Sequence, residues 1–272
     1  MTSRALDPTA CTVAEVVQMM EQIAPLALSE PWDNTGLLLG DLSSPVHRVM
    51  TCLTLTPASA REAVEGKAQL VISHHPLPFK PLAKITTASL TGRLIWDLAR
   101  AGVSVYSPHT AWDSAMDGIN AQLARKLSLI DIEPLLPSAQ HELGAGRYGT
   151  LSRPADIAAL ARKLAQNIPH CRPRAVLIER PVTRVAFGCG SGGSFLTAAA
   201  DKQCELLVTG EATFHTCLEA QALGMGLLMI GHFASEKFAM DQLAGRLVSA
   251  IPQLSVWGSR NEADPVQALT VA

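Results

Sequence analysis

Leu70-Val71-Ile72-Ser73-His74-His75-Pro76 is a short apolar run that stops on two adjacent histidines and a proline. An unbroken apolar stretch of this length suits a buried strand rather than one alternating between core and water. Pro76 prevents its continuation. Open α/β sheets bind ligands outside the carboxyl ends of their strands. The run therefore predicts an α/β protein with two imidazoles at a ligand position.

Outward from this run, helix and strand signals alternate. Toward the N-terminus, Val46 to Leu55 reads as a strand. Thr56-Pro57 then supplies an N-cap and a first-turn proline for a helix to about Lys67. Further back, Thr12 and Glu15 form a capping box ahead of an apolar face at helical spacing that ends at Pro25. Toward the C-terminus, a helix is predicted over Ser89 to Arg100, a strand over Val103 to Ser107 and a helix over Gly118 to Leu127. Ser128 to Gly149, with two prolines and three glycines, has the weakest signal for regular structure. It is the expected junction between an N-terminal lobe (about 1–128) and a C-terminal lobe (about 129–272), with a crossing back of the last elements to the first lobe as the open alternative.

The second half resumes with a helix over Ala155 to Ile168 and strands over Ala175 to Glu179 and Thr183 to Gly188. Next come a helix from about Ser194, a strand at Glu205 to Val208 and a helix from about His215 to Leu223. A strand at Gly226 to Ile230, a helix at Ser235 to Ala250 and a short strand at Leu254 to Trp257 complete the order. Alternation of this kind defines an α/β fold.

Four polar clusters fall just past predicted strands: His74-His75, Ser107 to Asp113 with His109, Thr209 to His215 with Glu211, and Gly231 to Glu236 with His232. Imidazole nitrogen and carboxylate oxygen are ligands for borderline divalent metals, and carboxylates can bridge two ions. Each cluster also has a plainer reading. His109 and Asp113 can cap a helix, Ser235-Glu236 suits a helix N-terminus, and His215 suits a polar helix face. Capping does not explain four such clusters at strand ends, and together they point to a metal site. Gly188-Cys189-Gly190-Ser191-Gly192-Gly193-Ser194 is either a phosphate cradle at a helix N-terminus or a plain tight turn. It has no P-loop lysine. Asp33, within Pro31-Trp32-Asp33-Asn34-Thr35-Gly36, reads as a turn residue.

The chain has 272 residues, 48% hydrophobic and 17% charged, enough to build a substantial core. A net charge of −2 gives no footprint for nucleic acid. Residues 1–8 lack the apolar core of a signal peptide, and no apolar stretch is long enough for a membrane span. Six cysteines without C-x-x-C spacing suit reduced thiols and a cytoplasmic protein.

Taken in order, Pro31 to Leu37, Ser73-His74-His75-Pro76, His109-x-x-x-Asp113, Gly190 to Ser194, Thr209-Gly210-Glu211 and Gly231-His232-x-x-x-Glu236 resemble the GTP cyclohydrolase I type 2 homologues, the NIF-three-like proteins. The resemblance runs from about residue 12 to 267 and matches the short form, without a large inserted domain. It implies two interlinked α/β lobes with a di-metal site in the cleft, assembled as a toroidal hexamer of dimers. The implied ligands are His74, His75, Asp113, His232 and a bridging Glu236, with His74 and Asp113 on one ion and His75 and His232 on the other. His109 and His215 would stand beside the metals, and Asp33 and Glu211 would line the cleft.

Thr54 and Ala111 depart from the family pattern, which usually has Asp and Asn there; neither is an implied ligand. Two divalent ions against the carboxylates of Asp113 and Glu236 leave positive charge for hydroxide, water or an anionic substrate. The expectation is a metal-dependent hydrolase acting on a nucleotide or other phosphate-containing small molecule, with two ions per chain (zinc, manganese, iron or cobalt). A metal-binding oligomeric scaffold without turnover is the alternative.

Overall fold

The computed structural model of the chain describes residues 11–139 and 142–267; residues 1–8, read above for a leader segment, lie outside them. The fold is mixed α/β with two main sheets. The described residues divide into two compact units, one of residues 11–111 with Met240–Glu262, the other drawn from Trp112–Ala239 with residues 263–267.

The first unit is built on a five-stranded sheet in the order Ser255–Gly258, Arg48–Cys52, Leu70–Ser73, Ser104–Ser107, Gly36–Leu39. The first four strands are parallel and Gly36–Leu39 is antiparallel. Leu70–Ser73 is buried at every position, as a central parallel strand with both faces covered must be. The helix Pro57–Glu65 starts where Thr56 caps the Ser59 amide, and Leu90–Arg100 where Ser89 caps Gly92. Their apolar faces, Ala60 and Ala63 with Leu94, Ile95 and Leu98, close over Met50, Val71 and Val105 in one cluster. Each fully buried leucine, isoleucine, valine or methionine among them contributes about 1.5–3 kcal/mol.

The second unit carries a six-stranded sheet in the order Arg174–Val176, Gly226–Met229, Leu206–Thr209, Val182–Gly188, Arg147–Ala155, Ile130–Glu133. Its three central strands are parallel and its outer pairings antiparallel. Tyr148, Ala186, Leu207 and Leu227 pack with Leu196, Ala199 and Ala220 in the core of this unit.

Two expectations need correction. Among the described residues, the stretch 128–149 is not an irregular junction but contributes to two paired strands. Ile130–Glu133 and Arg147–Ala155 pair at one edge of the second sheet, with Tyr148 opposite Glu133 and Thr150 opposite Ile130. The pattern is masked because Arg147 is a charged residue at a buried position and because the pairing with Val182–Gly188 is irregular before Ala155, where Pro154 cannot donate. Ala155 ends this strand, and the helix begins after the Asp156 cap, at Ile157–Asn167. The lobe boundary expected at 128–129 accordingly falls inside the second unit. The chain leaves the first unit at Ala111 and returns to it with Met240, so that Ser255–Gly258 completes the first sheet beside Arg48–Cys52.

No helix among the described residues is long and apolar enough to cross a membrane. The six cysteines are thiols.

Candidate metal-ligand clusters

In the first unit, the backbone amides of His74 and His75 donate to Cys52 and Leu53 carbonyls at 2.9 and 2.8 Å, carrying the parallel ladder two residues past the strand. Ser107 donates to the His74 carbonyl at 2.6 Å and Ser73 to the His75 carbonyl at 2.9 Å. Both histidines are thus fixed by backbone pairing before their rings are considered. His74 is buried. Its ring centroid lies 5.1 Å from that of His75 and 5.2 Å from that of His109. One ligating nitrogen from each of the three rings fits within a 4.8 Å span.

The two outer rings are held by side chains. Thr54 Oγ1 lies 2.6 Å from His75 Nδ1. Asp33 Oδ1 lies 2.7 Å from His109 Nδ1, while its other oxygen accepts from the Thr110 amide and hydroxyl at 3.2 and 2.5 Å. Asp33 is therefore more than a turn residue: its side chain is fully covered. Burial acts to raise its pKa, but the hydrogen bonds from His109 and Thr110 outweigh burial and hold it below the usual carboxylate value. They also hold His109 at φ +32°, a backbone region that non-glycine residues rarely adopt and that costs about 1–3 kcal/mol.

In the second unit, His232 opens the helix His232–Ala250, and Glu236 follows one turn later on the same face. The helix begins three residues before the expected Ser235, which places the histidine within its first turn. His232 Nε2 lies 3.2 Å from Glu236 Oε2, and Nδ1 lies 3.0 Å from Glu211 Oε1. Hydrogen bonding to Glu236 is the main reason that the His232 pKa rises to about 9. Ser191 donates to Glu211 at 2.6 Å, and this bond leads the causes that lower the Glu211 pKa.

The glycine-rich turn explains how Glu236 is accommodated. Gly190 has φ +56°, and a Cβ there would sit 2.3 Å from Glu236 Oε1. Its amide donates to Ser235 Oγ at 2.9 Å, and the Cys189 amide donates to Asn120 Oδ1 at 2.8 Å. These two amides serve side chains of the protein, which weighs against the phosphate-cradle reading of the turn.

Asp113 accepts a hydrogen bond from the Cys189 thiol at 3.1 Å. Burial, then the nearby Asp113 and Glu236 carboxylates, push the Cys189 pKa well up. The following carbonyls, Ser114 and Ala115, accept from the Arg147 guanidinium at 3.0 and 2.7 Å. His215 is exposed on the helix Phe214–Ala222, with its ring edge-on to Phe214. Among the described residues, neither Asp113 nor His215 belongs to a group of three ligating side chains as close as the histidine triangle.

Sequence reading did not identify Thr54, Cys189 and Arg147 as partners of site residues. Thr54 was visible only as a departure from the family pattern. Nothing local marks Cys189 or Arg147, because their partners lie 76 and 33 positions away.

Residues 11–265 match the Duf34/NIF3 (NGG1p interacting factor 3) family. A Clostridium perfringens protein named GTP cyclohydrolase 1 type 2 homolog is 32% identical over 229 residues, covering 82% of this chain and 86% of that protein. Drosophila melanogaster NIF3-like protein 1 is 30% identical over 268 residues, covering 96% and 89%. A Bacillus cereus protein related to NIF3 has the same fold, with a TM-score of 0.87 at 20% identity, covering 96% of this chain and 100% of its own. With its histidine and glutamate groups suited to metal and a family match over nearly its whole length, the chain belongs to the Duf34/NIF3 family.

Proposed function

We propose that the chain is a dinuclear divalent-metal protein that hydrolyses a nucleotide or another phosphate-bearing metabolite. His74, His75, Asp113, His232 and Glu236 are the ligands in this reading: His74 and Asp113 on one ion, His75 and His232 on the other, and Glu236 on both. The observation that carries it is the triangle of His74, His75 and His109, with ligating nitrogens within 4.8 Å. Three imidazoles so close make a nitrogen-rich patch in which His74 and His75 would hold the ions and His109 would stand beside them.

Bound there, divalent ions would supply Lewis acidity and a nucleophile made from water near neutral pH. With Nδ1 engaged by Thr54, His75 would offer Nε2 as its ligating nitrogen. His109, oriented by Asp33, and His215 would position the substrate or carry protons. Mixed nitrogen and oxygen donors accept zinc, manganese, iron or cobalt. The names of the relatives support a nucleotide substrate, and the same reading takes the chain to work in the cytoplasm as the toroidal hexamer that the resemblance implies.

Elemental analysis of tag-free protein tests the centre. The expected result is about two ions per chain in the wild type and a large loss in both His75→Ala and Glu236→Ala, with phosphoester or ring-opening activity abolished in Glu236→Ala. Partner binding that survives Glu236→Ala, with no turnover in the wild type, would favour the scaffold. A folded wild type that stays metal-free after reconstitution would overturn the proposal.

A further inference from the structure

Beside the histidine triangle, the first unit exposes two large aromatic rings. Trp32 is 63% and Phe79 50% exposed. They touch each other, with centroids 6.2 Å apart, and both meet the His109 ring edge-on, at 6.1 and 5.8 Å. Scattered exposed apolar side chains are ordinary. Two contiguous rings that share a histidine of the candidate metal cluster are a different matter.

The rings are held in place. The Trp32 segment is anchored by Asp33 to His109 and Thr110, and the Glu30 amide donates to Thr110 Oγ1 at 3.0 Å. Asn34 Nδ2 donates to the Pro78 carbonyl at 2.7 Å, tying the tryptophan segment to the residue just before Phe79. The wall thus joins two loops that are both pinned at the histidine cluster. Its two exposed aromatic rings adjoin the His109 imidazole.

From this placement we propose that Trp32 and Phe79 form a stacking wall for a planar heteroaromatic ring, which selects a base-bearing ligand for the adjoining metal site. The inference rests on the metal-site reading above and names the part of the substrate that it left open. A planar ring with nitrogen and exocyclic oxygen matches both surfaces: its face lies on the indole and its polar edge turns toward the imidazoles. Sugar phosphate without a base would use only the metal side.

Calorimetry on the metal-reconstituted full chain, with guanosine 5′-monophosphate and ribose 5-phosphate as probes, tests the wall. The wild type is expected to hold the nucleotide about tenfold or more tighter than the sugar phosphate. Trp32→Ala removes that difference and leaves ribose 5-phosphate binding unchanged, while Trp32→Phe keeps most of it. Nucleotide also quenches tryptophan emission in the wild type and not in Trp32→Ala, a signature that a purely structural role would not give.

Equal affinity for the two probes, or equal loss of both in Trp32→Ala, overturns the wall. So does an oligomer that dissociates in Trp32→Ala while nucleotide affinity stays put, since a second copy would then be the occupant. Failure of the two readings is distinguishable. Metal-dependent sugar-phosphate binding without a base preference sinks the wall alone. Trp32-dependent nucleotide binding in a chain that takes up no metal sinks the metal centre alone.

Discussion

At the scale of single residues, hydrogen bonds across long sequence separations hold the candidate ligands. Arg147 is the strongest case. It is 2% exposed, and its guanidinium donates to the carbonyls of Gly144, Gly146, Ser114 and Ala115 at 2.6 to 3.0 Å. Burial, and secondarily the charge of Arg125, lowers its pKa to about 10, so it stays cationic at neutral pH. The planar fork satisfies four carbonyls at once, and lysine has no such geometry. Arg147→Ala and Arg147→Lys are therefore both expected to destabilise the chain, the alanine by about 3 kcal/mol or more, as a shift in the urea midpoint at unchanged slope. An unchanged midpoint in the lysine variant would contradict the fork. Because Ser114 and Ala115 directly follow Asp113, the same variants should also weaken metal uptake. Asp33 shows why this scale was only half legible. Its turn-forming character is local, but its bond to His109 spans 76 residues.

At the scale of elements, much was legible, because caps and strand patterns depend on neighbours a few positions apart. Thr12 with Glu15 and Thr56 with Ser59 form capping boxes, and Leu70–Ser73 is the buried strand that its apolar run predicts. The strands near residues 130–155 were lost because Ile130–Glu133 is an edge strand, where charge is tolerated, and Arg147–Ala155, though paired on both sides, carries charge, glycine and a proline at its irregular end. The C-terminal strand Ser255–Gly258 has an unexpected clasp. The Glu62 carboxylate accepts from Trp257 Nε1, Ser259 Oγ and the amides of Arg260 and Asn261, at 2.8 to 3.2 Å. Burial acts to raise the Glu62 pKa, but these donors prevail and the net shift is downward. A lowered carboxylate pKa contributes stability above the unfolded value, about 4.3 for Glu, and loses it as the pH falls through the folded value. Glu62→Gln should therefore be less stable than wild type at neutral pH, by up to about 1 kcal/mol after screening by solvent. That gap should close in acid below about pH 4, as read from urea midpoints across a pH series. A gap that persists in acid would mean that charge plays no part.

At the scale of the whole molecule, local reading left open that the last elements cross back to the first lobe, but it could not say where they leave or which strand they pair with. The first unit takes its last strand from beyond residue 250, and Thr51 Oγ1 donates to the Met240 carbonyl at 2.8 Å from within Arg48–Cys52. A chain truncated after Ala239 loses that partner, the Glu62 clasp and the Glu262 carboxylate that accepts from the Leu53 and Thr54 amides. Arg48–Cys52, buried at four of its five positions, would then present an open edge. The truncated chain is expected to aggregate or to lose cooperative unfolding, seen by sedimentation and circular dichroism; a monomer with a full-length transition would refute this. The sequence by itself determined the α/β class, the capped helix starts at Thr12, Thr56 and Ser89 and the adjacent histidines at a strand end, because each depends on local periodicity, capping or a run of neighbours. Only the tertiary structure decided that Asp33 orients His109, that Thr54 meets His75, that Cys189 and Arg147 hold the Asp113 segment, and that the last strand pairs with Arg48–Cys52. Those contacts are made between residues far apart in the chain, where burial and hydrogen-bond satisfaction, and not local propensity, select the partner.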